Sequence, residues 1–566
     1  MQKKWVLRAP APPDTINQLA KEINVAPPLA QLLVQRGIST FEEAKLFFRP
    51  SLDHLHDPFL IKDMDKAVNR LCEAVFSGEK ILVYGDYDVD GTTAVATAYS
   101  FLKKYTAHVS YYVPDRYTEG YGVSEKGVRW AAAEGFGLMI CLDCGIRDVK
   151  HTILANELGL DVIICDHHLP GAQLPPALAI LDPKRADCLY PFKELCGCGV
   201  GFKLLQGFCI QNTIDPKELY EYLDLVAVSI GSDIVPIVGE NRILAYYGLQ
   251  KINQKPSAGL KALKEISGFK KDLSISDVVF YLGPRINAAG RLAHARESVN
   301  LLINADENEL IEMAKVLNER NIERKDFDQS ITDEALEIIR TEYPNSKSSV
   351  LFKRHWHKGV VGIVASRCIE HFYRPTIILT ESDGMATGSA RSIDGFDVHE
   401  AIGACEHLLT QYGGHQHAAG VKLPLDQVDA FREAFEAVVA DRLTPDQLVP
   451  KLTIDLEVDF DFLTFKNLGI INQMAPFGPL NLQPTLCTRD VFVKNPPRLL
   501  KDTHLKLMLY QAGTSGGFEA IGFGLGHLAD RIRPNEPFAI AYHLEQNEFQ
   551  GNKTLQLNLK DVNIAK

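Results

Sequence analysis

Between Ile81 and Leu181 the chain repeats one pattern five times: a short run rich in Val, Ile and Leu, then an amphipathic stretch. The runs are ILVY (81–84), VSYYV (109–113), LMICL (138–142), DVIIC (161–165) and ALAIL (177–181). A strand without a regular polar face is buried on both sides, and strands separated by helices pair in parallel. These residues predict an α/β domain on a parallel sheet with helices on both faces.

At 566 residues the chain is too long for one small binding module and long enough for three or four domains at about 150 residues each. An N-terminal extension is expected over 1–60, where the Pro-rich pieces APAPPD and APPL alternate with short helical patterns, ahead of the parallel-sheet domain over 61–300. No Gly or Pro occurs between Gly290 and Pro344. A long connecting helix over 301–345 fits that stretch, and a pair of surface helices is the alternative. A second, smaller α/β domain is expected over 346–446, with strands SVLF and TIILT and the Gly-rich segments GSARS and GGHQHAAG. Over 450–566 the segments KLTIDLEVDF, HLKLMLY, EAIGFGL, FAIAYHL and TLQLNL, with a turn at Gln550-Gly551-Asn552, form an all-β pattern suited to a small barrel of the oligonucleotide-binding (OB) type.

Charge limits the partners. Lys and Arg total 60 against 72 Asp and Glu, a net charge of −12, which excludes a surface coated in basic charge for indiscriminate nucleic-acid binding. A polyanion would have to meet arginines gathered in a cleft, or cations held by some of the carboxylates. The eleven cysteines are odd in number and scattered, as reduced thiols in the cytoplasm are. Cys196 and Cys198 flank Gly197, but nothing nearby completes a zinc-ligand set. The opening MQKKWVLRAPAPPDT lacks the apolar core of a signal peptide. No stretch approaches the roughly 20 apolar residues of a membrane span. A soluble, cytoplasmic protein with no membrane partner is expected.

The segment ILVYGDYDVDGTTAVATAYSFL is the most informative. Asp86, Asp88 and Asp90 alternate, so an extended backbone would place all three on one side just past a strand. Three carboxylates this close repel one another, and a multivalent cation relieves the repulsion. D-x-D-x-D-G also opens an EF-hand loop, but that loop needs Glu at its twelfth position, and counting from Asp86 that position is Thr97. Asp143 follows LMICL, Asp166-His167-His168 follows DVIIC, and Asp233 follows LVAVSIGS. Any one of these is explained as a turn or cap residue. Together they can converge, because ligands gather at the carboxyl ends of the strands of open α/β sheets. Oxygen ligands with one or two imidazoles suit Mg²⁺ or Mn²⁺, and two such ions about 3.5–4 Å apart carry out phosphoester hydrolysis.

In order, GDYDVDGTTA, LDCGI, DHHLPG and SDIVP match the four motifs of the DHH phosphoesterase superfamily, and the whole chain resembles the RecJ family of single-strand-specific 5′→3′ exonucleases. GPRINAAGR (283–291), GSARSID (388–394) and GGHQHAAG (413–420) look like that family's further motifs. The resemblance implies Asp88 and Asp90 as metal ligands, Asp143 as the bridging carboxylate, and His167 and Asp233 completing the coordination of two Mn²⁺ or Mg²⁺ ions. Asp86 and His168 would lie in or beside that shell. His168 would orient the phosphate or donate a proton, the alternative being a supporting hydrogen bond. Cys144 departs from the Asn common after the motif's Asp.

For nucleic acid, Arg285 and Asn287 precede small residues and could grip a phosphate, a helix cap being the plainer alternative. The family resemblance gives Ser389 and Arg391 a role in holding the 5′ end, with Gly388 completing an anion nest, and His415 a substrate contact. Arg116, with Tyr117 and Tyr121 beside it, offers faces for unstacked bases or else only packing. The expected activity is a single-stranded-DNA-specific 5′→3′ exonuclease of DNA repair and recombination that releases 5′-mononucleotides, acting as a monomer. The family suggests a single-strand-binding protein and a RecQ-type helicase as partners. The alternatives are a DHH phosphatase of short oligonucleotides or nucleotides, and a non-catalytic single-strand-binding scaffold, which would be expected to have lost carboxylates that this chain retains.

Overall fold

The computed structural model describes residues 3–514 and 516–564. The chain divides into two compact units, one formed by the described part of 1–7 with 321–454, the other by 8–320 with the described part of 455–566.

The first strand, β1 (Lys4–Leu7), belongs to the smaller unit and pairs in parallel with Lys451–Ile454. The parallel sheet of the larger unit comprises β2 (Ile81–Gly85), β3 (Val109–Tyr112), β4 (Leu138–Leu142), β5 (Asp161–Cys165) and β6 (Ala179–Leu181), in the order β3-β2-β4-β5-β6. Each of the five apolar runs is thus a strand. Every residue of β2 and β4 is buried, as expected of strands covered on both faces. The chain leaves β2 towards β3 on one side and returns to β4 on the other, so the strand order reverses at β2. Such a switch point opens a crevice beyond the carboxyl ends of the strands, here where Asp86 and Asp143 follow β2 and β4.

Two helices buried on nearly every face, Val89–Leu102 and Gly197–Gln211, pack against this sheet, and a third, Leu223–Ser232, packs against both of them. The last of them corrects one expectation: LVAVSIGS is not a strand, and Asp233 caps a helix. A fully apolar run reads alike in a buried strand and a buried helix, and only its packing decides.

In the smaller unit β7 (Ser349–Phe352), β8 (Thr376–Ser382), β9 (Met385–Arg391), β10 (Gln411–His415) and β11 (Ala418–Pro424) form a mixed sheet in the order β10-β11-β9-β8-β7. The stretch free of Gly and Pro contains Arg296–Ile303 and then one continuous helix, Glu307–Glu342, of 36 residues, about 54 Å at 1.5 Å per residue. The boundary between the units falls within it, and beyond that boundary Ile331, Ala335 and Ile339 pack with Val364 and Cys368 of the helix Val361–His371.

KLTIDLEVDF is also not one barrel strand. It divides at Asp455 into β12 (Lys451–Ile454), the partner of β1, and β13 (Leu456–Glu457), which pairs with β14 (Leu486–Val493) in the larger unit. Asp455 turns the chain: its N–H donates to the Thr485 carbonyl at 2.8 Å, and its Oδ2 accepts the Thr485 N–H at 2.9 Å. With β15 (Arg498–Leu500), β16 (His504–Gln511), β17 (Phe518–Gly522), β18 (Phe538–Phe549) and β19 (Asn552–Ile564), the pairings run β14-β18-β19-β17-β16 and return to β14, closing a five-stranded barrel. The β18–β19 loop is Gln550-Gly551, both at positive φ (51° and 79°), the backbone of a tight hairpin turn. The N-terminal helices Pro13–Glu22 and Pro27–Val34 share the barrel's core, through Ile16, Leu19 and Leu32 with Leu468, Ile540 and Tyr542. These two helices are therefore built onto the barrel.

Candidate metal centre

The three carboxylates after β2 are not on one extended strand, as alternation alone predicted. Asp86 follows the strand, Asp88 caps the helix Val89–Leu102 by accepting the Gly91 N–H at 3.1 Å, and Asp90 lies in that helix's first turn. They converge because the chain turns sharply into the helix. Gly91 permits the turn: a Cβ there would lie 2.4 Å from the Asp86 carbonyl oxygen. Asp90 is anchored by the Gly197 N–H at 2.7 Å, the Cys198 N–H at 2.6 Å and the Ser229 hydroxyl at 2.7 Å. The Cys196-Gly-Cys segment is thus a helix start that binds a carboxylate through its amides, with the Cys196 sulfur accepting the Gly199 N–H at 3.2 Å. Among the described residues no cysteine belongs to a group placed to hold a metal ion.

Asp143 sits in the left-handed region at φ 61°, with its N–H donating to the Cys165 carbonyl at 2.9 Å. Next to Asp233, Ile234 has φ 59° and is 64% exposed. A β-branched residue in that region is strained, and strain of this kind, about 1–3 kcal/mol, gathers at functional sites. Asp233 lies at the carboxyl end of its helix, where the helix dipole favours cations.

His167 joins the carboxylates. Its Nε2 is 3.3 Å from Asp143 Oδ1, 3.5 Å from Asp233 Oδ2 and 3.8 Å from Asp90 Oδ2. Burial pushes its pKa down to about 4, so it is neutral and has a lone pair to offer. Burial first, and then neighbouring carboxylates, push Asp86, Asp88, Asp143 and Asp233 above the usual carboxylate range. Both oxygens of Asp86, Oδ1 of Asp143 and both ring nitrogens of His167 are buried without a hydrogen-bond partner. Buried polar atoms are rarely orphaned, and this set is what a cation would satisfy. Ligand atoms fall into three groups: Asp86, Asp88 and Asp143; Asp90, His167 and Asp233; and Asp143, His167 and His168. Asp143 and His167 each belong to two of them, so this set of side chains would suit two adjacent cations. The oxygen-rich donor set suits Mg²⁺ or Mn²⁺.

Relief of this repulsion is measurable as stability. Mn²⁺ added to chelated protein is expected to raise the thermal midpoint of the larger unit by several degrees, since a ligand at 100 times its Kd stabilises by about 2.7 kcal/mol. A midpoint indifferent to Mn²⁺ would contradict the fit.

His168 is set apart. Its Nδ1 is 2.7 Å from Asp166 Oδ1. Burial opposes its charge, but the Asp166 hydrogen bond and charge raise its pKa to about 9. Tyr121, 54% exposed, brings its hydroxyl within 3.2 Å of the His168 ring and 3.3 Å of the Asp143 carbonyl. Arg116 stacks 5.0 Å from the ring centre of Tyr87, which meets Tyr121 edge-on at 6.3 Å. The aromatic partner of Arg116 is thus Tyr87. Tyr117 is half-buried and donates to the Arg291 carbonyl, so it packs.

Arg285 is 8% exposed, donating through Nε to Asn318 Oδ1 at 3.0 Å and through a terminal nitrogen to the Tyr281 carbonyl. The Asn318 bond ties Gly283–Leu292 to the helix Glu307–Glu342, which the small residues around Arg285 did not reveal. Asn287 is half-buried on Gly283–Leu292. In the smaller unit Arg391 donates to the Ser389 hydroxyl at 2.6 Å, two residues along β9. Burial pushes its pKa down. A Cβ at Gly362 would meet the Arg391 guanidinium at 2.9 Å and the Ser389 hydroxyl at 3.2 Å. His415 ends β10, opposite Ala418, which pairs on its other side with Arg391.

Three family profiles match: the DHH family, N-terminal domain, over residues 80–230; the DHHA1 domain over 345–441; and the RecJ OB domain over 454–561. The chain is 37% identical to the single-stranded-DNA-specific exonuclease RecJ of Bacillus subtilis (strain 168), over 99% of this chain and 71% of the relative. It is 33% identical to the Salmonella typhimurium protein of the same name, over 95% of this chain and 96% of the relative. The crystal structure of RecJ in complex with Mn²⁺ from Thermus thermophilus superposes with a TM-score of 0.86 at 27% identity, covering 100% of this chain and 80% of that one. A Mg²⁺ complex from the same organism superposes at 0.80. A centre suited to two hard cations, a fold that matches those complexes and near full-length identity above 30% agree: the chain belongs to the RecJ family of single-stranded-DNA-specific exonucleases.

Proposed function

We propose that this chain is a metal-dependent exonuclease that hydrolyses the phosphodiester bonds of single-stranded DNA from the 5′ end, releasing 5′-mononucleotides in DNA repair and recombination. The observation that carries the reading is the convergence of Asp86, Asp88, Asp90, Asp143, His167 and Asp233 around buried, unpartnered oxygens and nitrogens. Those six side chains would hold the two Mn²⁺ or Mg²⁺ ions, whose chemistry is to activate water and neutralise charge on the phosphoryl group.

The chain's own contribution is positional. Gly197, Cys198 and Ser229 fix Asp90, the turn at Asp143 aims its carboxylate, and burial keeps His167 unprotonated. Asp166 keeps a proton on His168 Nδ1, so the imidazolium can donate to a phosphate oxygen or to the leaving oxygen. Tyr121 restrains that ring and closes one side of it to water.

Ser389 and Arg391, linked on one strand, would bind the terminal phosphate that sets polarity, with His415 as a further contact. Arg116 with Tyr87 and Tyr121 would hold unstacked bases. Arg285, held by Asn318, and Asn287 would grip a phosphate beside the centre. The closed barrel is of a type that binds single strands, which supports a division into an N-terminal extension (1–60), a catalytic domain (61–300), a connecting helix (301–345), a DHH-associated domain (346–446) and a strand-holding barrel (450–566). A monomer, with a single-strand-binding protein and a RecQ-type helicase supplying ends, is proposed on the family resemblance. No helix among the described residues is long and apolar enough to cross a membrane, and all eleven cysteines are free thiols, which supports a cytoplasmic location.

A DNA strand labelled at either end, single- or double-stranded, with and without Mn²⁺, tests the reading. The expected result is Mn²⁺-dependent release of mononucleotides from the 5′ end of the single strand alone. Equal attack on duplex, release from the 3′ end or full activity after chelation would overturn it.

A further inference from the structure

The loop from Asp182 to Cys198 borders the metal centre, and the mechanism above uses none of its side chains. It leaves the sheet where Leu181, the last residue of β6, accepts the Asp166 N–H at 3.1 Å, so it starts beside the Asp166-His167-His168 turn. It ends at the Gly197 and Cys198 amides that hold Asp90. Its first residue is a carboxylate absent from the sequence reading: Asp182 is fully buried, with Oδ1 accepting the Lys184 N–H at 2.7 Å and Oδ2 without a partner. That turn fixes the backbone of Lys184 just past β6, the neighbour of β5 in the sheet.

The ammonium of Lys184 faces Glu194 across the loop at 3.8 Å, with the two side chains 22% and 45% exposed. Such a long, half-exposed pair contributes little, so the ammonium can leave it for a stronger anion. Its charge favours the ionised form of the neighbouring Asp182, whose pKa burial pushes up to about 7. A lysine is a compact point charge on a flexible stem with three rotatable donors. This suits a substrate that advances one nucleotide at each turnover and presents a new phosphate each time.

We propose that Lys184 is a substrate-binding residue whose ammonium contacts a non-bridging oxygen of the phosphate held at the carboxylate and imidazole centre. The inference rests on the nuclease reading and adds a contact to it. A lysine on a phosphate releases condensed counterions when the strand binds, about 0.7 per contact for single strands. A lysine that only pairs with Glu194 releases none.

The test uses the full chain and a labelled oligothymidylate. kcat/KM with Mn²⁺, and equilibrium binding in chelator, are followed against salt concentration. Lys184→Met and Lys184→Gln are expected to lower kcat/KM about tenfold, the scale of one charge-assisted hydrogen bond, and to make the log–log salt slope shallower by about 0.7. Lys184→Arg should keep the wild-type slope, and Glu194→Gln should keep both rate and slope. The Gln variant supplies the slope should the Met variant misfold. Wild-type slopes in both neutral variants, in both measurements, would overturn the inference whatever the rates. Failure of the nuclease reading would look different: the wild-type chain itself would not cleave.

Discussion

Asp143→Asn is expected to lower nuclease turnover by at least about three orders of magnitude while leaving affinity for single-stranded DNA within about threefold. Asparagine is chosen because it tolerates the left-handed backbone that Asp143 adopts at φ 61°, whereas alanine there would add about 1–2 kcal/mol of strain. The change removes one negative charge from a carboxylate that belongs to two of the ligand groups, which weakens the hold of those groups on a cation. About 4 kcal/mol of lost transition-state stabilisation is a thousandfold in rate, within what a cation contributes to phosphoryl transfer. Strand affinity should survive, because most of it comes from contacts along the backbone and bases away from the reacting bond. Single-turnover cleavage together with fluorescence anisotropy decides the matter. Equal cleavage by the two proteins, with contaminating nuclease excluded, would sink the assignment of Asp143. Loss of binding in parallel with cleavage would mean that the residue serves the fold.

Much of this centre can be read before any fold is known, because its chemistry is concentrated in short segments. Asp86, Asp143 and His167 each follow an apolar run that proves to be a strand, and a parallel sheet brings such ends together. The errors share one physical origin: local pattern does not record what packs against it. LVAVSIGS has no exposed polar face because other helices surround it, so it resembles a buried strand. Asp86, Asp88 and Asp90 alternate as in a strand, yet Asp88 begins a helix. KLTIDLEVDF keeps one pattern through Asp455, where the chain passes from one unit to the other. Side chains that work through tertiary partners were harder still. Nothing near Arg285 in sequence names Asn318 as its partner, and neither Tyr87 as the ring beneath Arg116 nor the buried Asp182 carries a local signal. The clearest missed signal was Cys196-Gly197-Cys198-Gly199. Two cysteines drew attention to zinc, when the glycine between them was the informative residue.

Gly197→Ala is expected to abolish most activity although it removes no ligand and adds only a methyl group. A Cβ at position 197 would lie 2.5 Å from both Cβ and Oδ1 of Asp143, far inside van der Waals contact. Neither side can yield. The Gly197 N–H is bonded to Asp90 Oδ2 at 2.7 Å, which pins the start of the helix Gly197–Gln211, and Asp143 is held by its own N–H to Cys165 and by its turn. The methyl group must therefore push the Asp143 carboxylate away or lift the amide off Asp90, and either movement spoils the spacing of the ligand groups. Overpacking of this kind costs about 1–3 kcal/mol of stability, while a displacement of about 1 Å at a reacting centre costs on the order of a hundredfold in rate. The variant should fold with a lowered thermal midpoint, lose about a hundredfold or more in turnover, and show a weakened Mn²⁺-induced rise in that midpoint. Ala substitution at Gly469, where a Cβ meets nothing within 4 Å, controls for the loss of glycine itself and should leave cleavage unchanged. A Gly197→Ala protein with wild-type turnover would show that Asp143 has room to move, and that the rigidity assigned to this corner of the centre is not what sets its activity.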